Sequence, residues 1–150
     1  MLHHSTHLKP QKPTGAFIMA SWSSFFIGAI AYLVGLWNST LALNEKGYYF
    51  TLLMYGLFSA ISLQKVVRDR LEGINVTDTY YMLAWISMLL SILLLGVGLW
   101  NATMLLSEKG FYIMSFVLSM FASITIQKNI RDLALFPKEE FLGVDIEEKE

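Results

Sequence analysis

The polar side chains best suited to chemistry in this sequence stand in two short motifs, and each motif occurs twice. The members of the first motif are Asn38, Glu45 and Lys46, repeated as Asn101, Glu108 and Lys109. The members of the second motif are Gln64, Lys65, Arg68 and Asp69, repeated as Gln127, Lys128, Arg131 and Asp132. Amide, carboxylate and cationic groups can together bind a lipid headgroup or a protein surface through charge-assisted hydrogen bonds. We therefore treat both motifs as candidate lipid- or partner-binding sites.

The spacing of the second motif also allows a purely structural interpretation. On a continuing helix Lys65 and Asp69 are four residues apart, as are Lys128 and Asp132, so each pair can meet on one face. Long cationic side chains at the end of a membrane helix also extend toward the headgroups and stop the helix there. The recurrence of the acid in both copies favours a binding role in addition.

The first motif has a structural alternative of its own. Asn44 and Ser107 are suitable N-caps for helices that begin near Glu45 and Glu108. The acidic side chain then lies in the first turn, where the helix dipole favours negative charge. For Asn38 and the equivalent Asn101 the alternative to ligand binding is a hydrogen bond that closes the hairpin.

Most catalytic chemistries lack their residues here. The chain has no cysteine, and its net charge of −1 offers no electrostatic footprint for nucleic acid. No carboxylate lies within an apolar run to relay a proton or bind a coupling ion. The histidines, His3, His4 and His7, stand in a polar tail without other ligands. We expect a protein that is not an enzyme, without a catalytic site, a metal or a cofactor.

Four apolar runs separate these motifs. They are approximately Ala16–Trp37, Gly47–Leu63, Tyr80–Trp100 and Phe111–Ile126, and none contains a charged residue or histidine. Hydrophobic residues make up 55% of the chain and charged residues only 15%, well below the roughly 25% typical of soluble domains. Because about 20 apolar residues cross a bilayer as a helix, the sequence predicts an all-α integral membrane protein with four transmembrane helices.

A shift of 63 residues aligns the two halves of the chain without a gap. "GLWNSTLALNEKGYY" from Gly35 becomes "GLWNATMLLSEKGFY" from Gly98. The predicted organisation is a polar tail at 1–15, a two-helix repeat at 16–73, a second at 79–136 and an acidic tail at 137–150. Each repeat enters and leaves on one side, so the duplicated hairpins are parallel repeats about a pseudo-two-fold axis along the membrane normal.

The helices carry two further repeated features. The tryptophans are predicted to anchor the helices at the two membrane interfaces; they are Trp22, Trp37, Trp85 and Trp100. Pairs of small residues four apart predict close helix packing. The members of these pairs are Ser24 with Gly28, Gly56 with Ala60, Ser87 with Ser91, and Ser119 with Ser123.

The distribution of Lys and Arg predicts orientation. The segments before the first helix, between the repeats and after the last helix carry most of the positive charge, and each hairpin tip has one lysine. The positive-inside rule then places the N- and C-termini in the cytoplasm. If the repeats pack about a shared axis, Glu45 can reach Lys109 and Glu108 can reach Lys46 across the tips.

The motifs "GLWN", "NEKGYY", "QKVVRD", "SEKGFY" and "QKNIRD", spread over Phe17 to Leu133, resemble the YiaA/YiaB family of bacterial inner-membrane proteins. The resemblance implies a multi-pass protein of the bacterial cell inner membrane and implies no reaction. Two classes of function remain open. One is a structural or interaction module that organises membrane lipids, a homo-oligomer or an unidentified membrane protein partner. The alternative is a small channel or permease formed by a homo-oligomer.

Overall fold

The computed structural model describes residues 11–136, and this part of the chain forms four α-helices and no strand. They are α1 at Gly15–Asn38, α2 at Leu43–Leu71, α3 at Asp78–Asn101 and α4 at Leu106–Ala134. Each is long and apolar enough to cross a membrane. The predicted four-helix membrane fold is therefore confirmed. The three histidines and the predicted acidic tail at 137–150 lie outside the described residues.

The helix starts differ from the prediction in one respect. α1 and α3 begin after a threonine whose hydroxyl accepts a backbone hydrogen bond, Thr14 from Phe17 and Thr77 from Tyr80. α2 and α4, however, begin at Leu43 and Leu106, so Asn44 and Ser107 lie inside the first turn and are not N-caps. The wrong assignment arose because the acid itself can satisfy a free N–H group, without a polar side chain at the cap.

The two longer helices continue past their apolar runs. α2 extends from Leu63 to Leu71 and α4 from Ile126 to Ala134, about two turns in each case. Both copies of the second motif therefore lie on continuous helix. Gly73, at φ 75°, ends α2 in the left-handed region that glycine adopts without strain.

The helices pair across the repeats. α1 packs chiefly on α4 and α3 packs chiefly on α2, while α1 makes little contact with α2 in its own hairpin. The parallel pair α2 and α4 forms the centre. The pattern follows the pseudo-two-fold, because the 63-residue shift turns the α1–α4 pair into the α3–α2 pair. We call the end of the bundle that holds the α2–α3 connection the linker end, and the opposite end, with both hairpin tips, the hairpin end.

Equivalent tyrosines meet near the pseudo-two-fold. Tyr49 of α2 and Tyr112 of α4 are separated by 63 residues, and their rings stack with centroids 5.8 Å apart. Tyr32 of α1 packs edge-on against Tyr112 at 5.3 Å, and its hydroxyl donates to the Tyr49 carbonyl oxygen at 2.8 Å. Satisfying this hydroxyl matters because an unpaired polar group is costly in the membrane interior.

The small residues lie where helices cross. A methyl group at Gly28 of α1 would stand 2.7 Å from the Ser119 Oγ and 2.9 Å from the Ser119 backbone nitrogen of α4. At Gly56 of α2 it would stand 2.5 Å from the ring of Phe116. Six members of the predicted pairs are buried and two are half-buried; the half-buried two are Ser24 and Ser87. Close approach of this kind supplies dispersion contact between membrane helices.

The tryptophans face outward. Trp37 and Trp100, at the hairpin end, expose more than four-fifths of their surface, while Trp22 and Trp85, nearer the linker end, expose about two-fifths. Many large apolar side chains along all four helices are likewise exposed. A soluble monomer rarely presents such continuous apolar surface, whereas a lipid-facing bundle does.

Candidate functional site

A network of ion pairs joins the two copies of the second motif at the linker end. We call it the charge network, and its members are Lys65, Arg68, Asp69 and Glu72 of α2 and Lys128, Arg131 and Asp132 of α4. α2 and α4 are central and parallel, so the two copies emerge from the membrane side by side. The structure thus assembles groups that stand about 60 residues apart in the chain.

Within each helix, the charge network contains the pair expected from spacing. Lys65 Nζ lies 2.7 Å from Asp69 Oδ2, and Lys128 Nζ lies 2.8 Å from Asp132 Oδ2. The lysine side chains remain more than half exposed. These pairs therefore leave each ammonium group open to a further acceptor.

Between the helices, the arginines exchange partners reciprocally. Arg68 Nη2 lies 2.5 Å from Asp132 Oδ1, and Arg131 Nη1 lies 2.6 Å from Asp69 Oδ1. Both arginines are about four-fifths buried, and the Asp69 side chain is only 6% exposed. The exchange fixes α2 against α4 at the point where the bundle leaves the hydrocarbon.

Glu72 adds an acid that has no counterpart in the second repeat. Its carboxylate accepts from Arg68 Nε at 2.7 Å and from Arg131 Nη2 at 2.5 Å, whereas the equivalent residue of the second repeat is Leu135. The hydrogen bond from Arg68, followed by that from Arg131, lowers the pKa of Glu72. The acid is therefore ionised near neutral pH, and its stabilising effect is lost only as pH falls below its ordinary range.

A groove opens beside the charge network on the α3 side, with a volume of about 630 Å³. Its charged lining comes from Arg68, Glu72, Lys128 and Asp132. Its apolar lining includes Leu63, Ile124 and the ring of Trp85. We call it the interfacial groove, because charged and apolar walls meet at the level of a tryptophan, as they do at a membrane–water boundary.

The hairpin end holds a second cavity of about 430 Å³ between the tips, lined by residues of both repeats. Glu45 and Glu108 line it, but each carboxylate accepts from a backbone N–H group of its own helix start, Ala42 at 2.8 Å and Leu105 at 2.9 Å. Among the ion pairs of residues 11–136, none joins Glu45 to Lys109 or Glu108 to Lys46. The predicted cross-repeat pairing of the tips is therefore wrong, since capping engages both acids locally.

The asparagines of the first motif also bond locally. Asn38 Nδ2 donates to the Val34 carbonyl oxygen and Asn101 Nδ2 to that of Val97, each at 2.8 Å. These bonds satisfy carbonyl groups in the last turns of α1 and α3. The predicted hairpin-closing bond instead comes from Lys46, whose Nζ donates to the Trp37 carbonyl oxygen at 2.9 Å.

Two contributors to the linker end were missing from the sequence prediction. Glu72 lies four residues after Arg68, a spacing that signals an ion pair, but it has no repeat partner to draw attention to it. Asn129 Nδ2 donates to Ser21 Oγ at 3.2 Å across the α1–α4 contact. In the sequence, two departures from the repeat signalled this bond: Asn129 aligns with Val66, and Ser21 aligns with Ala84.

Fold and site together define a class of protein: a multi-pass membrane protein made of two interlocked helical hairpins with a charged network at one end. The yiaA/B two helix domain matches this chain twice, at residues 17–69 and 80–132. The chain belongs to the YiaA/B family of two-helix-domain proteins.

The chain is similar to three bacterial membrane proteins. It is 54% identical to the inner membrane protein YiaA of Escherichia coli over 83% of this chain and 86% of that protein. It is 30% identical to the inner membrane protein YiaB of the same organism over 68% of this chain and 87% of that protein. With the uncharacterised membrane protein YubF of Bacillus subtilis it shares 40% identity over 41% of this chain and 72% of that protein. No solved structure matches the chain. The four apolar helices and these relatives identify a multi-pass inner membrane protein.

Proposed function

We propose that the protein is a structural and interaction module that binds membrane lipid at its linker end and neither catalyses a reaction nor conducts a solute. One observation carries the proposal: the interfacial groove combines accessible charge with apolar walls at one level of the bundle. A phospholipid presents the same combination, a charged headgroup next to hydrocarbon. Recognition of headgroups by basic pockets between membrane helices is a familiar use of such a site.

The interior of the bundle argues against a conducting path through one chain. Between the two ends, the centre described by residues 11–136 is filled by large side chains that are at most 3% exposed, including Tyr32, Tyr49, Leu53 and Phe116. Its buried serines donate their hydroxyl protons to carbonyl oxygens of their own helices. A polar path requires unpaired donors or acceptors along its wall, so this packing favours a binding module over a channel through a single chain.

The charge network supports a binding surface as well as stability. Lys65 and Lys128 keep more than half of their side chains exposed while the arginines hold the helices together. Lys128, which lines the interfacial groove, can therefore bind a headgroup without dismantling the contact between α2 and α4. A second copy of the chain and an unidentified membrane protein are the other occupants of this end that its chemistry would suit.

The experiment that tests the proposal compares retained lipid with solute flux. The full chain, purified from native membranes in a mild detergent, is expected to carry lipid in native mass spectra. The same preparation in liposomes is expected to leave ion and small-solute flux at the level of protein-free liposomes. Flux that rises with the protein-to-lipid ratio, from preparations that retain no lipid, would replace this proposal with the homo-oligomeric channel.

A further inference from the structure

We propose that the interfacial groove binds a single phospholipid whose headgroup carries a phosphate and a primary ammonium, with one acyl chain in a crevice between α3 and α4. The inference rests on the proposed function and names the class of lipid and its place. Three features carry it: the balance of charge in the groove, the continuity of the groove with the crevice, and the difference between the two repeats.

The charged wall of the groove contains equal numbers of cations and anions. Glu72 pairs with Arg68, Arg68 with Asp132, and Asp132 with Lys128, in one continuous chain of contacts. Of these four side chains Lys128 and Glu72 are the accessible ones, 54% and 39% exposed; Glu72 also binds Arg131, which does not line the groove. The groove therefore offers one accessible cation and one accessible anion on the same wall.

A zwitterionic headgroup complements this arrangement. Its phosphate can accept from the Lys128 ammonium group while its own ammonium group donates to the Glu72 carboxylate. A purely anionic headgroup would bring negative charge toward Glu72, whose two oxygens Arg68 and Arg131 already engage, and it would offer that carboxylate no donor. A quaternary ammonium headgroup has no N–H group and cannot donate a hydrogen bond to the carboxylate. The charge balance thus selects a primary ammonium.

The apolar crevice continues the groove into the membrane. Its volume is about 320 Å³ and its lining is wholly apolar, with Met88, Ile92 and Gly96 from α3 and Phe116, Phe121 and Ile124 from α4. Ile124 borders both the groove and the crevice. The crevice exists because α3 packs on α2 and α4 packs on α1 and α2, which leaves α3 and α4 apart. An extended hydrocarbon chain fits such a space without any polar partner.

The first repeat lacks the same combination. The residue equivalent to Gly96 is Leu33, which packs against the core, and the residue equivalent to Glu72 is Leu135. The side of the bundle related by the pseudo-two-fold therefore has a bulkier helix face and no accessible extra acid. The duplicated fold consequently provides one complete site for this lipid.

The test measures lipid retention by the full chain. Delipidated protein in detergent is titrated with phosphatidylethanolamine, phosphatidylcholine or phosphatidylglycerol of identical acyl chains, and bound lipid is counted by native mass spectrometry. One molecule of phosphatidylethanolamine is expected to bind about tenfold more tightly than either competitor, because only this headgroup forms both charge-assisted contacts. Equal retention of the three lipids overturns the inference.

Matched variants locate the site. Lys128→Gln is expected to weaken phosphatidylethanolamine binding by about tenfold. Lys65→Gln, which removes an equally exposed lysine that pairs with the equivalent aspartate of α2, is expected to leave phosphatidylethanolamine binding unchanged. Gly96→Leu is expected to abolish retention by filling the crevice, where a side chain at this position meets no atom within 4 Å. Gly47→Leu, at an equally open helical glycine of the hairpin end, serves as its control.

The outcomes separate this inference from the proposed function. If phosphatidylethanolamine is preferred and only Lys128→Gln and Gly96→Leu weaken it, the site is established. If lipid binds but Lys128→Gln and Lys65→Gln weaken the binding equally, the proposed lipid-binding function stands and its assignment to the interfacial groove is wrong. If no lipid binds to the unmodified chain, or if a second copy of the chain is retained in its place, both proposals fail.

Discussion

At the scale of single residues, two arginines of the charge network join α2 to α4 at the linker end. Arg68 and Arg131 each bind the aspartate of the other repeat, and both also contact Glu72. A guanidinium group suits this role because it offers several donors in a fixed plane, whereas an ammonium group acts as a point charge. The lysines, on the outside, bind only within their own helix. The residue types thus divide into those that hold the helices together and those that remain available.

This division predicts different stabilities for two similar variants. Arg131→Gln is expected to lower the free energy of unfolding by about 2–3 kcal/mol, because it leaves the nearly buried Asp69 with a lysine alone. Lys128→Gln is expected to lower it by less than about 1 kcal/mol, since its pair is more exposed. Thermal unfolding in detergent measures both. Equal losses would show that the cross-repeat pairs contribute nothing beyond the intrahelical ones.

The sequence predicted the intrahelical pairs and missed the exchange between helices. Lys65 with Asp69 follows from spacing along one helix, which the sequence displays directly. The contact of Arg68 with Asp132 depends on α2 lying parallel and next to α4, which spacing does not encode. A reciprocal exchange across the repeats was predicted at the hairpin tips. The reciprocal ion pairs form at the linker end instead. At the tips, Glu45 and Glu108 each accept a hydrogen bond from a backbone N–H group at the start of their own helix.

At the scale of helices, close approach at small residues sets the geometry of the bundle. α1 and α4 touch backbone to backbone near Gly28 and Ser119, where even one methyl group would conflict with main-chain atoms. Gly35 of the same helix faces the ring of Phe111, a side chain that can move. Gly96 of α3 faces open space. A larger side chain therefore conflicts with backbone at Gly28, requires a side chain to move at Gly35 and meets no obstacle at Gly96.

A matched pair of substitutions tests this difference. Gly28→Ala is expected to lower the free energy of unfolding by about 1–2 kcal/mol, because the α4 backbone must shift to admit the methyl group. Gly96→Ala is expected to raise it by about 0.5–1 kcal/mol, the gain in helix propensity at an uncrowded position. Thermal unfolding in detergent gives both values. A stabilising Gly28→Ala would mean that the two helices separate more readily than this contact implies.

Helix number and the duplication were accessible from the sequence, whereas helix pairing was not. Apolar length predicts a membrane helix whatever its neighbours, and the recurrence of Trp, Asn, Glu and Lys at a fixed shift predicts a repeat. Pairing requires knowing which face of a helix is buried. In a membrane both the lipid-facing and the protein-facing sides are apolar, so the periodicity that reveals a buried face in water is weak.

At the scale of the whole molecule, positive charge is concentrated at one end. Six lysines and arginines of residues 11–136 lie at the linker end or just before α1, and two lie at the hairpin end; the two are Lys46 and Lys109. We therefore propose that the linker end, with both chain termini, faces the cytoplasm. The charge network and the interfacial groove would then meet the cytoplasmic leaflet.

Cysteine labelling tests this orientation directly, because the chain contains no cysteine of its own. Asn44→Cys and Ser107→Cys, at the hairpin end, are expected to react with a membrane-impermeant thiol reagent in spheroplasts. Asn75→Cys, in the connection between the repeats, is expected to react only after the membrane is permeabilised. The reverse pattern would invert the orientation and place the groove in the outer leaflet.

The pairing of α1 with α4 has a consequence for biosynthesis. α1 leaves the ribosome before its principal partner α4, whose synthesis is completed roughly one hundred residues later. At a translation rate of about 5–20 residues per second, α1 spends about 5–20 s in or beside the translocon without that partner. During this interval its glycine-lined face is open to lipid or to an insertion chaperone. A ribosome that stalls within the second repeat would leave α1 without α4, and α1 would then be exposed to the quality-control proteases of the membrane.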